Sequence, residues 1–429
     1  MIDKIKILFK TDLIKTSFFT SIATTVKIAI AFVLNKIVAL YVGPAGIAII
    51  GQFNNFFSIA STISSGGIST GVVKYIAEEK NNDLQTRQII STSFIFIATC
   101  SIITGIVLCL FSSFFSTLVF KTATYSFLFK TIAFSLIFAS LNTLMMSILN
   151  GFKEIKKYTI ANISTNILVL IFSIILVIRY KITGVLLAII AGQSIIFFLT
   201  VLFVIKTKWF QISYFWGYFN KTILQKLSHY SIMTLTSSIV GPLTLLFIRN
   251  YISNHLSLKD AGYWQGIWTI SEVYLTFITS SLAVYYLPKL SELKDDREIK
   301  KEIWKTSKII IPIVTCLAIL IFIFKNIIIN ILFTPEFSPM IPLFKYQLVG
   351  DVIKIASWLL AYQMLAKAMT KLFIFTEVLF NITFIGLTIL CVSHFGLEGT
   401  AIAFCINYTL YLLFLLFFFR KMIGNKKKR

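Results

Sequence analysis

The sequence predicts an all-α polytopic membrane protein, with twelve transmembrane helices arranged in two six-helix bundles. Three observations predict it. The 429-residue chain is 57% hydrophobic and only 13% charged, with a mean hydropathy of +0.86, more apolar surface than a soluble protein of this size buries. Apolar runs of about 20 residues, enough to cross a hydrocarbon core of roughly 30 Å, recur twelve times. Lysine and arginine crowd alternate connections and avoid the others. A membrane β-barrel is excluded, because the runs are too long and lack alternation.

The runs fall at about 16–41, 47–73, 89–119, 128–150, 158–178, 182–205, 228–250, 262–288, 306–333, 342–366, 372–394 and 397–419. The first follows the basic start MIDKIKILFKTDLIK, which has no small-residue cleavage site and reads as an uncleaved cytoplasmic segment. Gly43-Pro44 turns the chain outside, before span two. Span three follows the inside segment around Lys74, Lys80 and Arg87, and a short outside loop leads to span four. Lys153, Lys156 and Lys157 mark the inside turn to span five. Arg179 and Lys181 lie at the outside turn to span six. Spans seven and eight are joined outside by SNHLSLKDAGYW, and spans nine and ten by FTPEFSPMIP. Inside, LPKLSELKDDREIKKEIWKTSK joins eight to nine, and Lys367 with Lys371 joins ten to eleven. With both termini cytoplasmic, inside segments hold 29 of the 40 basic residues and outside loops six. A single miscounted helix would invert every later loop.

The net charge of +23 is therefore assigned to anionic membrane lipids and not to nucleic acid. All five cysteines lie in apolar runs without CxxC spacing, so neither a disulfide framework nor a metal site is indicated. His229, His255 and His394 have no ligand partner at metal spacing. The chain has no GxSxG, Walker loop or HExxH and no cytoplasmic domain for ATP hydrolysis, so it reads as neither an enzyme nor a primary pump. A membrane-embedded polysaccharide polymerase would need a long outside loop, which is lacking.

Residues 1–205 form the expected N-terminal bundle, 206–227 a cytoplasmic linker and 228–429 the C-terminal bundle. The linker mixes aromatic residues and lysines. It lies along the interface, or is an ordinary aromatic belt between two spans. AGIAIIGQ at 45–52 and AGYWQGIW at 261–268 open spans two and eight alike, as a parallel repeat would, with chance similarity as the alternative.

Charges inside spans are costly and mark function. Lys27 lies near the middle of span one, on a face with Thr20, Thr24, Ala31 and Asn35. Span two offers a matching stripe through Asn54, Asn55, Ser58, Ser61, Thr62, Ser65 and Ser69. The pair suggests a hydrated lumen suited to an anion, whereas the hydroxyls taken alone read as helix-to-helix glue. Glu272 lies about 15 Å into span eight and is expected to face a cavity. Asp351 and Lys354, at i,i+3 on span ten, can pair with each other or serve a ligand. Lys36 and Arg249 lie near outer ends, where they can snorkel or line an outer gate. A drug antiporter of the same build would centre its cavity on carboxylates.

The stretch TSFFTSIATTVKIAIAFVLNKIVALYVGPAGIAIIGQFNNFFSIASTISSGGISTGVVKYIAEE, residues 16–79, resembles the opening of the bacterial O-antigen and enterobacterial common antigen lipid-linked oligosaccharide flippases. The features that carry it are NK, YVGPAG, GQF and GGISTGVVKY, with AGYWQ and YYLPKL at 261–290. The resemblance implies the MATE-like fold, with a V-shaped cavity between two bundles. It implies transfer of an undecaprenyl-pyrophosphate-linked oligosaccharide to the periplasmic leaflet of the inner membrane, by alternating access coupled to an H+ or Na+ gradient and without a bound cofactor. A polysaccharide polymerase and a chain-length regulator are the implied protein partners. Carried onto this chain, Lys27, Asn35, Lys36, Asn54, Asn55, Arg249 and Lys354 become substrate-binding candidates, and Glu272 and Asp351 ion-coupling candidates.

Overall fold

Two residues with positive φ divide the longest helices of the chain. The computed structural model describes residues 12–79, 81–207, 209–217 and 219–420, the side chains of 12–23, 229, 230 and 284 excepted. The basic runs at 1–11 and 421–429, Lys80, Lys208 and the Thr20 side chain lie outside the described residues. Helix α1 (Asp12–Ser64) breaks at Gly43, with φ 62° and ψ −168°, just before Pro44. Proline removes a helical N–H there, and glycine alone takes that φ without strain. The chain continues through α2 (Ser69–Glu79), α3 (Asp83–Leu110), α4 (Ser112–Phe120) and α5 (Ser126–Gly151). Helix α6 (Ile155–Ile205) breaks at Lys181, with φ 49° and ψ −127°. At 53 and 51 residues, α1 and α6 are each about 80 Å long at 1.5 Å per residue, enough for two crossings.

The rest comprises α7 (Lys221–His255), α8 (Leu258–Ser281), a π-helical turn (Leu282–Tyr286), α9 (Leu287–Glu292), α10 (Asp296–Ile323), α11 (Lys325–Leu332), α12 (Leu343–Ala366), α13 (Thr370–Phe395) and α14 (Glu398–Phe418). No strand occurs among the described residues. Nine described helices are long and apolar enough to cross a membrane. Counting α1 and α6 twice and adding Leu258–Glu292, whose polar and Trp/Tyr residues lower its hydropathy, gives the twelve expected crossings. Where expected boundaries differ, capping explains it. Helix α10 starts at Asp296, ten residues before its apolar run, because the Asp295 carboxylate accepts the Arg297 N–H at 2.9 Å. Helix α7 starts at Lys221, where the Asn220 side chain accepts from the N–H groups of Thr222 and Ile223.

The chain forms two compact units. The first holds the residues up to Tyr41 and Gln52–Leu243; the second holds Val42–Gly51 and the residues from Thr244 on. The core of the first joins Ile68, Val72 and Ile76 to Ile90, Leu144 and Ile148, and to Tyr214 and Leu227 of the linker region. The linker is thus docked on this unit. Trp209 stacks on Phe152 with centroids 4.3 Å apart, the Asn220 N–H donates to Thr92 Oγ1 at 3.1 Å, and the Tyr214 hydroxyl donates to the Asp83 carboxylate. Burial first, and Asp83 second, push the Tyr214 phenol up to about 12, so it remains a donor at neutral pH. Trp216 projects outward, 76% exposed, as an interfacial aromatic residue does.

Gly66 and Gly67, both at positive φ, form the turn that follows α1. A Cβ on Gly66 would lie 2.3 Å from Phe96 Cε1, and one on Gly67 2.7 Å from Leu235 Cγ. This turn therefore needs glycine for close packing as well as for φ. The core of the second unit joins Leu275, Tyr286, Ile303, Ile355, Leu359, Met364 and Leu415. There the Tyr286 hydroxyl donates to the Leu359 carbonyl at 2.8 Å.

Candidate functional site

Polar and aromatic residues recur at helical spacing on two helices of the second unit, and their stripes meet. Helix α12 carries Gln347, Asp351, Lys354 and Trp358; α8 carries Trp264, Trp268, Ser271 and Glu272. Asp351 is fully buried. Its Oδ2 accepts from Ser271 Oγ at 2.6 Å and the Tyr274 hydroxyl at 2.9 Å, and its Oδ1 from Gln347 Nε2 at 3.4 Å. Gln347 Oε1, on the same side chain, is buried without a hydrogen-bond partner. A buried carboxylate held by neutral donors beside an unsatisfied amide oxygen makes an acceptor-rich spot, which suits a proton or a small cation.

Of the two alternatives for Lys354, pairing with Asp351 or serving a ligand, the ion pair does not form within 4 Å. Its ammonium sits among four rings: Trp358 at 5.1 Å, Tyr408 at 5.5 Å, Trp268 at 5.6 Å and Phe404 at 5.8 Å from the centroids. Each lies within the roughly 6 Å reach of a cation–π contact, worth up to about 2 kcal/mol when desolvated. The cage competes with Asp351 for the lysine, and the three neutral donors leave the carboxylate less need of it. Asp351, Glu272 and Glu377 are the charged neighbours of Lys354.

Glu272 is exposed on this unit and accepts from Trp268 Nε1 at 2.7 Å. Trp268 therefore presents its face to Lys354 and its N–H to Glu272. Arg249 does not reach outward as its place near a span end suggested. It is 3% exposed, lies 5.4 Å from the Trp264 ring centroid and donates through Nη2 to Gln265 Oε1, because α8 packs over it. Four of the expected site residues, Arg249, Glu272, Asp351 and Lys354, thus lie in the second unit, each in contact with residues of α8.

The other five lie in the first unit. Lys27 is exposed, beside the buried Ile28; Asn35 and Lys36 are half-buried; Asn54 is exposed. Asn55 is half-buried, and its Nδ2 is buried without a hydrogen-bond partner. Three hydroxyls of span two have protein partners. Ser64 Oγ meets Ser140 Oγ at 2.6 Å, tying α1 to α5, while Thr62 and Ser65 donate back to the carbonyls of Ser58 and Thr62.

Sequence reasoning missed the cage, Gln347 and the polar surroundings of Glu377, whose carboxylate and carbonyl both receive Asn381 Nδ2. The available signal was three i,i+4 pairs: Trp268 with Glu272, Lys354 with Trp358, and Phe404 with Tyr408.

A family model described as polysaccharide biosynthesis protein matches residues 13–294. The chain belongs to that family. The Lipid III flippases of Escherichia coli (strain K12) and Shigella flexneri are each 28% identical to it over 408 residues, covering 93% of this chain and 96% of theirs. Among solved structures, an inward-facing multidrug resistance MATE family transporter of the MOP superfamily aligns with a TM-score of 0.80 at 13% identity, over 94% of this chain and 99% of its own. A MOP superfamily transporter from Pyrococcus furiosus with a binding pocket of reversed polarity aligns at 0.71 and 14% identity, over 98% of both chains. The fold is MATE-like, as expected. The family resemblance drawn from residues 16–79 and 261–290 stands, and the relatives indicate a transporter rather than an enzyme.

Proposed function

We propose that this protein flips a polyprenyl-pyrophosphate-linked oligosaccharide, an O-antigen or related repeat unit on undecaprenyl pyrophosphate, from the cytoplasmic to the periplasmic leaflet of a bacterial inner membrane. The observation that carries the reading is the end-to-end similarity to the Lipid III flippases, 28% over 93% of the chain. The alternation of basic connections supports cytoplasmic termini. A sugar head cannot cross hydrocarbon, because each unpaired hydroxyl costs several kcal/mol. A hydrated protein path replaces those hydrogen bonds while the tail stays in lipid. Lys27, Lys36, Arg249 and Lys354 supply positive charge toward the pyrophosphate, and Asn35, Asn54 and Asn55 offer amides to sugars. Asp351 is the coupling residue, taking up a proton or sodium ion as the halves alternate, and Glu272 modulates Lys354 through Trp268. A polymerase and a chain-length regulator would act on the delivered repeat units.

One observation favours a second reading. The buried Asp351, with no ion pair within 4 Å among the described residues, is the kind of carboxylate a cation antiporter needs, and the fold is shared with drug exporters. Deletion of the gene in its own host decides between them. The flippase reading predicts loss of surface glycan and accumulation of the lipid-linked precursor on the cytoplasmic leaflet, with unchanged drug sensitivity. Altered efflux of a cationic dye with intact glycan would establish the antiporter instead.

A further inference from the structure

The first unit contains a cavity of about 270 Å³ between α2, α5 and α6, apart from every residue considered so far. Its walls are two facing stripes. Asn142, Met146 and Asn150 recur every four residues along α5; Tyr158, Asn162 and Thr165 recur at four and three along α6. Val73 of α2 closes one side, and no lining residue is charged. Lys157, next to Tyr158, is engaged elsewhere: it pairs with Glu154 at 3.5 Å and donates to the Lys206 carbonyl at 3.2 Å. Such a wall offers little to a phosphate.

The hydrogen-bonding chemistry is specific. Thr143 and Ser147, also lining the cavity, donate their hydroxyl protons back to the carbonyls of Ala139 and Thr143 at 3.0 and 2.8 Å, leaving lone pairs as acceptors. Asn142 Oδ1 is buried without a hydrogen-bond partner, a cost of about 1–3 kcal/mol unless a ligand or water supplies a donor. Asparagine amides add paired donors and acceptors. A wall with donors, acceptors, no charge and one tyrosine ring matches a pyranose, which carries hydroxyls around its rim and C–H groups on its face. The volume lies just below the roughly 300–1,000 Å³ of drug-sized sites and has room for one sugar ring.

We infer that this cavity is a subsite for a single neutral sugar residue of the lipid-linked glycan. The inference rests on the flippase reading. On the topology proposed above, the cavity lies in the cytoplasmic half, since α5 ends and α6 begins at the inside turn 152–154. The sugar it takes would be the part of the head group that enters first from the cytoplasm.

The test uses the full-length protein in lipid nanodiscs and saturation-transfer-difference NMR with neutral methyl hexosides and methyl N-acetylhexosaminides. At least one glycoside gives a signal that weakens by about tenfold in Asn142→Ala/Asn162→Ala, the equivalent of about one lost hydrogen bond. The same signal weakens in the near-isosteric Thr165→Val, which guards against misfolding of the double variant. It persists in Gly386→Ala, where nothing lies within 4 Å of the added Cβ. Absence of any glycoside signal, or binding indifferent to both cavity variants, overturns the inference. In cells, wild-type translocation with equally fast translocation by the folded cavity variants sinks the subsite and leaves the flippase reading intact. Failure of wild type to translocate sinks the flippase reading, while the NMR result still judges the cavity.

Discussion

Lys354 and Asp351 are three residues apart, yet their environments are opposite. The ammonium rests on aromatic faces and the carboxylate on hydroxyl and amide donors. Replacing Lys354 with Met keeps an unbranched chain inside the cage, and methionine sulfur packs well against rings. Lys354→Met therefore folds with little loss of thermal stability, and glycan translocation falls by about tenfold or more as the cation–π-held charge is removed. Unchanged translocation would show that the cage is structural only. Asp351→Asn retains an acceptor for Ser271 and Tyr274 but loses the charge. In proteoliposomes with imposed proton or sodium gradients, it abolishes the dependence of transport on the gradient; wild-type dependence in the variant would remove Asp351 from coupling. Sequence alone identified both residues as costly. It could not identify their partners, because the i,i+3 spacing permits a pair that the rings of α8 and α14 displace.

At the scale of elements, the glycine turn that follows α1 separates conformational from packing demands. Gly66 combines φ +61° with a would-be Cβ 2.3 Å from Phe96. Gly66→Ala should destabilise by about 1–3 kcal/mol from backbone strain alone, more if Phe96 cannot move. Gly386 of α13, at ordinary φ, has nothing within 4 Å of its would-be Cβ, so Gly386→Ala should stabilise by up to about 1 kcal/mol through helix propensity. Thermal unfolding of the two variants in detergent checks both signs. Most helices were legible in the sequence because apolar length fixes a crossing. Their ends were less so. Helices α7 and α10 continue past the apolar stretch to caps at Asn220 and Asp295, and capping obeys local hydrogen bonding, not the bilayer. The cavity stripe of α5 and α6 was also missed, since asparagine at four-residue spacing inside an apolar run scarcely changes its mean hydropathy.

For the whole molecule, the twelve crossings followed from the apolar runs, with charge alternation as their check, and the MATE-like fold and family from the motifs at 16–79 and 261–290. The site was only partly legible. Buried charges announce themselves in sequence, whereas the aromatic groups that hold them come from three different helices. On the proposed function, a glycan on a lipid anchor crosses the membrane through this protein. The most direct measurement reconstitutes it in liposomes with a polyprenyl-pyrophosphate-linked oligosaccharide and follows the exposure of sugar to an external lectin. Lectin-accessible sugar should rise toward completion with the protein, with little change in protein-free or Lys354→Met vesicles. Accessibility in the protein-containing vesicles no faster than in protein-free ones, alongside uptake of a cationic dye, would contradict the proposed function.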